Sequence, residues 1–316
     1  MPAVSCGKPQ IDICVATYKR PPLLATLLES LATQETQGQF TCRIVVVDND
    51  PRRSAESVVR GFQARTAEII YDVEPEQSIS LTRNRGFAHA AGAYIATIDD
   101  DQYADREWLL QLFNALARYE ADVVFGPVVH LFDSRTPAYI RGCELFNLPN
   151  PPTGSAENFI CYTGNALMRR AVIAGVPGPF DPGLGLSGGE DTALFDRLRR
   201  QGRRLVWCRE GRVYTVVPRQ RATLRWIAQR AFSSGNNWHR ALQRDPDWAG
   251  VSRRAEIFHA LMHMARLFCL SFLCLIAAPF DARCLAQAAR HLERMAFLLG
   301  LCASHLHVRY EEYRDG

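Results

Sequence analysis

The feature that most constrains the fold is a repeat in the first 130 residues. Short apolar, β-branched runs stop at polar clusters, and each is followed by a helix-forming stretch. Residues 11–16 (IDICVA) read as a buried strand ending at Thr17-Tyr18-Lys19-Arg20 and a Pro-Pro pair. A helix over 21–33 follows, since Pro suits a first helical turn, where its missing N–H has no partner to lose. Residues 43–47 (RIVVV) end at Asp48-Asn49-Asp50-Pro51, a turn signal, and lead to a helix over 53–65 and a strand at 68–72. Residues 80–91 read as a helix, 93–98 as a strand ending in Asp99-Asp100-Asp101, 105–119 as a helix and 122–130 as a strand. This rhythm dictates an α/β fold with a mostly parallel sheet flanked by helices. Ligands bind such sheets at the carboxyl ends of the strands, where three of these polar clusters fall.

Residues 131–160, rich in Pro, Asn and Gly, read as a long loop. A second Gly/Pro-rich stretch over 175–189 runs into Glu190-Asp191 and a helix over 191–201, stopped by Gly202. Beyond about residue 222 the character changes to helices over 222–243, 253–278 and 284–305. Their apolar faces are interrupted by His259, His263, Arg266, Arg290 and Arg294. The chain therefore divides into an α/β unit over 1–221 and a helical C-terminal extension over 222–316.

The 316 residues suffice for one large α/β domain plus an appendage. The ten cysteines are scattered and form no C-x-x-C pair. They read as small apolar residues in a reducing compartment, not as zinc ligands. The N-terminus lacks an apolar leader core. The longest strongly apolar stretch, residues 267–280, falls short of the ~20 residues that span a bilayer. A cytoplasmic protein is expected, peripheral at the inner face of the membrane. The dense arginines over 197–230, together with the apolar C-terminal helices, suit an anionic membrane surface. Packing on the first unit, or a homo-oligomer interface, would use the same faces. The formal charge of +4 and the lack of aromatics interleaved with the basic run argue against nucleic acid.

Several positions carry candidate chemistry, each with a plainer alternative. Three successive carboxylates at Asp99–Asp101 repel one another, and a hard divalent cation such as Mg²⁺ or Mn²⁺ relieves that; a solvated acidic turn is the alternative. Asp48 and Asn49 suit a base or ribose, or an Asx turn. Arg83 suits a phosphate, or a solvated helix face. Glu190 and Asp191 stand at a helix N-terminus, where carboxylates cap and meet the helix dipole. A general base delivered by the glycine-rich approach (Gly183, Gly185, Gly188, Gly189) would occupy the same place.

The order and spacing of these segments resemble glycosyltransferase family 2 of the GT-A fold. The matching strings are CVATYKRP, IVVVDND, TRNRGFAHAAGAYIATIDDD, YTGNALMRR and SGGEDTALFDRLRRQG, between residue 11 and about residue 202. Within the family, the chain resembles bacterial exopolysaccharide and cell-surface glycan enzymes.

The resemblance implies a nucleotide-binding half over 1–130 and an acceptor half over 131–221. Thr17, Tyr18 and Arg20 would line the nucleotide pocket, Asp48 would contact the base, and Arg83 and Asn84 would sit near uridine and diphosphate. Asp99–Asp101 would be the D-x-D element, with Asp100 near ribose and donor sugar and Asp101 on the Mn²⁺ or Mg²⁺ ion. Gly164 and Asn165 would shape the donor-sugar and acceptor side. Gly189, Glu190 and Asp191 would form the E-D motif, with Asp191 as base for a single, inverting displacement.

The implied donor is a nucleotide sugar, UDP by family habit, and the acceptor a glycan or lipid-linked sugar. Processive relatives carry Q-x-x-R-W; here Gln220-Arg221-Ala222-Thr223-Leu224-Arg225-Trp226 has different spacing, so transfer of single sugars is expected. Thr215 stands where many relatives have a further metal ligand, and His239 is the substitute to consider. A sugar nucleotidyltransferase would want a glycine-rich phosphate loop after the first strand, and CVATYKRP has no glycine. A catalytically inactive glycan-binding or scaffold subunit would not need the intact Asp101 and Asp191.

Overall fold

The computed structural model describes residues 7–63, 68–176, 178–243, 253–277, 282–306, 308 and 310–311. In chain order the α/β part contains β1 (Gln10–Thr17), α1 (Pro21–Ala32), β2 (Thr41–Asp48), α2 (Glu56–Gln63), β3 (Ile69–Val73), α3 (Ile79–His89), β4 (Tyr94–Ile98), β5 (Gln102–Ala104) and α4 (Trp108–Arg118). It continues with β6 (Val123–Phe125), β7 (Val128–Leu131), α5 (Ala138–Arg141), β8 (Asn165–Arg169), α6 (Glu190–Arg200), β9 (Leu205–Trp207) and β10 (Val213–Val216). Three helices follow: α7 (Leu224–Gln243), α8 (Arg253–Ala277) and α9 (Ala282–His305).

Seven strands form one sheet in the order β3-β2-β1-β4-β8-β6-β9, and β5, β10 and β7 form a second, smaller one. In the large sheet only β8 runs against its neighbours, β4 and β6. β1 reads as a nearly continuous apolar run because both its faces are covered. Ile11, Ile13 and Val15 enter the core shared with α1 and α4, and Cys14 enters the core shared with Phe87, Ile95 and Phe125. The exception is Asp12, fully buried beneath Arg43 (2.8 and 3.1 Å), the Gly92 N–H (2.7 Å) and Gln10 (2.8 Å). Burial pushes its carboxyl up, but these donors outweigh burial and hold it below the usual carboxylate range.

Some boundaries differ from the sequence reading for local reasons. α2 begins at Glu56 because Arg53 takes a left-handed φ of 60° and the Ala55 N–H goes to Asp48 (2.7 Å). Residues 64 and 65 of the expected helix lie outside the described residues. The expected strand over 122–130 breaks at Gly126-Pro127, so that β6 joins the large sheet and β7 the small one. A Cβ at Gly126 would lie 2.0 Å from the Gly211 carbonyl. Pro127 has no N–H to give a ladder.

The 131–160 segment is folded in part. α5 and a short 3-10 turn at Glu144–Phe146 pack Ile140, Cys143 and Phe146 against Val217, Ile227 and Ala289, joining the α/β part to the C-terminal helices. α7 and α9 cross closely at two glycines. A Cβ on Gly235 would lie 2.0 Å from the Phe297 carbonyl, and one on Gly300 2.0 Å from that of Phe232.

α8 corrects the sequence reading. The run over 267–280 is too short to span a bilayer, but the helix continues through His259, His263 and Arg266. Its 23 residues Ala255–Ala277 reach about 35 Å, and an 18-residue stretch within them has a mean hydropathy of 1.9. By length and composition alone the helix is long and apolar enough to cross a membrane, and residues 278–280 lie outside the described residues. Its exposed side chains include Phe258, Leu261, Met262, Phe268, Phe272, Leu273, Leu275 and Ile276. The described cysteines are free thiols, several of them buried, while Cys6 lies outside the described residues.

Candidate active site

The parallel strands deliver their ends to one edge, as the β-α-β rhythm requires. Thr17 closes β1, and its hydroxyl donates to Asp100 Oδ2 at 2.8 Å. Arg20, just before α1, reaches Asp100 Oδ1 at 3.1 Å and Asp101 Oδ2 at 3.4 Å. Tyr18 is half-buried beside them under Lys19, whose ammonium lies 4.4 Å from the ring centre. Asp100 is buried, and burial pushes its carboxyl up against the opposing pull of Arg20 and Thr17.

Asp101 keeps a side chain 21% exposed. Among the described residues its Oδ2 has only long contacts, 3.4 Å each, to Arg20 and Arg221. Asp99 turns the other way, to Arg83 Nη2 at 3.3 Å. Its carboxyl is pushed up to about 6, by burial first, with Asp101, Asp100 and Asp191 adding to the rise against Arg83. That side chain is still 44% exposed, so solvent reaches it and the crowding of like charge matters beside desolvation. Gly164 lets this corner close, since a Cβ there would lie 2.8 Å from Asp99 Oδ2. Such clustered hard oxygens, relieved by nearby positive charge, fit a divalent cation.

The third wall is the head of α6. Gly188 and Gly189 have φ of 82° and 91°, a bend that favours glycine, and Gly189 caps the helix. Glu190 is 2% exposed and ion-paired with Arg83, which thereby ties Asp99 to α6. Burial pushes its carboxyl up to about 7, with Arg83 opposing and Asp191 adding to the rise. Asp191 is half-buried. Its Oδ1 accepts from the Thr192 N–H (2.7 Å) and its Oδ2 from the Thr163 N–H (3.4 Å), next to Gly164.

Thr17, Arg20, Arg83, Asp99, Asp100, Asp101, Gly164, Glu190 and Asp191 thus share one cleft. Three other expected residues are occupied elsewhere. Asp48 is fully buried, and accepts from the N–H groups of Asp50 (3.0 Å) and Ala55 (2.7 Å) and from Tyr71 Oη (3.0 Å); it builds the turn in place of a free edge for a base. Asn84 exchanges both amide bonds with the backbone of Phe180, at 2.7 and 2.9 Å. Asn165 is fully buried, accepting from Trp108 Nε1 (2.8 Å) and donating to the carbonyls of Pro127 and Gly211. It locks the strand break and does not face the cleft.

The structure also adds residues. Arg221 reaches Asp101 while its guanidinium lies 5.7 Å from the Trp226 ring centre, so the altered spacing of that motif still brings a cation to the acidic run. His130 pairs in register with Thr215, and burial holds its imidazole below its usual range although Asp101 pulls it up. The Gln220–Trp226 string drew attention to Arg221 without giving it a role at the acidic run, and nothing in the local sequence marks His130. His239 lies on α7 beside Glu256 and His305, apart from the acidic run.

The profile of glycosyl transferase family 2 matches residues 12–176, just over half of the chain. The chain is 33% identical to the succinoglycan biosynthesis protein ExoM of Rhizobium meliloti, across 92% of this chain and 93% of that one. It is 22% identical to the glucosyl-dolichyl phosphate glucuronosyltransferase of Haloferax volcanii, across 72% and 75%. Among solved structures, the mannosyltransferase PcManGT of Pyrobaculum calidifontis, in complex with GDP-Man and Mn²⁺, superposes with a TM-score of 0.62. That match has 18% identity and covers 95% of this chain and 88% of that one. Residues 1–349 of TarS from S. aureus give a TM-score of 0.53 at 15% identity, across 93% and 90%. With the strand order and acidic cleft described above, these likenesses place the chain in glycosyl transferase family 2, as a glycosyltransferase of GT-A fold.

Proposed function

We propose that the protein transfers single sugars, with inversion, from a nucleoside-diphosphate sugar (a UDP-sugar first) to a glycan or lipid-linked acceptor, with Asp191 as general base. The observation that carries this reading is Arg83 tying Asp99 to Glu190, which sets the acidic run and the head of α6 against one another across a cleft. Asp191 is the carboxylate on that wall that remains partly open and held by two backbone N–H groups. It takes the proton of an acceptor hydroxyl as that oxygen attacks the anomeric carbon. One base and one displacement give inversion. Thr17, Tyr18 and Arg20 line the nucleotide side, and Arg20 and Arg221 supply positive charge to the diphosphate. Asp101, helped by Asp99 and Asp100, would hold Mn²⁺ or Mg²⁺, which supplies charge neutralisation to the departing diphosphate. Asp48, Asn84 and Asn165 shape the walls from behind.

The apolar face of α8 rests on an anionic bilayer in this reading, which brings a lipid-linked acceptor to the cleft. Its exposed Phe268, Phe272 and Leu273 supply apolar contact, and the exposed Arg266 and Arg283 supply charge. The test is a screen of nucleotide sugars that detects released nucleoside diphosphate and assigns the anomeric configuration of the product. Release from a UDP-sugar with an inverted product supports the reading. A retained configuration overturns the single displacement, and release only from GDP- or dTDP-sugars overturns the UDP preference.

A further inference from the structure

Away from the acidic cleft, three successive helices each contribute one metal-ligating side chain to a single point. His239 comes from α7, Glu256 from the first turn of α8 and His305 from the end of α9. Their ligand atoms all lie within 4.8 Å of one another. His239 Nε2 is 3.5 Å, and His305 Nε2 2.6 Å, from the same oxygen, Glu256 Oε2. The two imidazoles lie 3.8 Å apart, centre to centre. Both histidines are almost completely buried, at 1% and 4% exposure, whereas Glu256 is partly open.

We propose that His239, Glu256 and His305 form a zinc site that staples α7, α8 and α9 together. Two imidazole nitrogens and one carboxylate oxygen are a borderline donor set that suits Zn²⁺, and three protein ligands leave a fourth position for water. Zinc–ligand distances of about 2.0–2.2 Å imply tetrahedral ligand–ligand separations of about 3.3–3.6 Å. The His239–Glu256 separation already fits; the shorter His305–Glu256 contact opens by less than about 1 Å on metal uptake. Ser304 completes the site from outside. Its Oγ is 3.0 Å from His239 Nδ1, which turns Nε2 toward the ligand point, as metal-bound histidines are usually oriented.

The staple also has a path to the cleft. Two residues before His239, the Asn237 side chain donates to the Ser187 carbonyl, and the Asn237 carbonyl lies 3.1 Å from where a Gly189 Cβ would be. The ordered end of α7 thus backs the bend that delivers Glu190 and Asp191.

The experiment is metal analysis of the tag-free full chain by mass spectrometry, with zinc affinity measured by competition against a chromophoric chelator. One zinc per chain is expected, retained in Asp101→Ala, which separates this site from the cation of the acidic cleft. Glu256→Gln, which preserves shape and hydrogen bonding, and His305→Ala should lose it. Ser304→Ala leaves every ligand in place and should weaken affinity by about 10–100-fold. Cobalt in place of zinc should give the visible bands of a tetrahedral site. A folded wild-type chain with no zinc and no competition at micromolar metal would overturn the proposal and leave a hydrogen-bonded His–Glu–His bridge. Zinc retained in Glu256→Gln and His305→Ala but lost in Asp101→Ala would overturn it equally.

Discussion

Arg83 on α3 is ion-paired with Glu190 at the head of α6, across more than 100 residues of chain, with both side chains largely buried. Removing Arg83 leaves the buried Glu190 carboxyl without its partner, to be held as the neutral acid or as an unmatched charge, and either is destabilising. Arg83→Met should therefore lower the melting temperature clearly, as well as activity, by releasing α6 from the Asp99 wall. Thermal unfolding followed by circular dichroism would check it.

The same pair predicts a pH dependence. Glu190 has its carboxyl raised from 4.5 to about 7, by burial first. It holds its proton more tightly in the folded chain than in the unfolded one. Its contribution is fully present below about pH 4.5 and is lost as pH rises through about 7. Between about pH 5 and pH 8, the wild type should lose more stability than Glu190→Gln. Differential scanning fluorimetry across that range measures it, and parallel curves would contradict the assignment.

Asp101 is expected to carry the divalent cation. Asp101→Ala should abolish the increase in nucleotide affinity that Mn²⁺ gives the wild type, with little change in affinity without metal. Calorimetric titration of UDP with and without Mn²⁺ reads this directly. An unchanged metal dependence would move the cation to Asp99 or Asp100.

The exposed face of α8 should bind membrane. The full chain should sediment with vesicles containing anionic phospholipid and remain free of purely zwitterionic ones. Phe268→Asp with Phe272→Asp should prevent sedimentation. If the wild type stays in solution as a dimer and the double variant becomes monomeric, the face is a subunit interface and the membrane reading fails.

Much of this was legible in the residue order. The apolar runs of β1, β2 and β4 are buried on both sides, so they show as continuous hydrophobic segments, and their polar ends fall at one edge because parallel strands share a direction. Less legible was which polar residue faces the cleft. Asp48, Asn84 and Asn165 carry the chemistry of a binding residue, but their partners are mostly backbone groups, with the Tyr71 and Trp108 side chains beside them, some of them distant in sequence. The break at Gly126-Pro127 depends on Gly211, some 85 residues on, which no local window contains. Arg221 reaches Asp101 only because β10 brings the following segment back to the acidic run.

Asp191 is the proposed base, and Asp191→Asn assayed for both transfer and donor binding tests that role. The substitution keeps size and, through its single amide oxygen, the shorter hydrogen bond from the Thr192 N–H; it gives up the long contact from the Thr163 N–H and removes the ability to take a proton. Transfer should fall by at least about 100-fold, with metal-dependent donor affinity within about twofold of wild type. Transfer near the wild-type rate in a variant that still binds donor would contradict it.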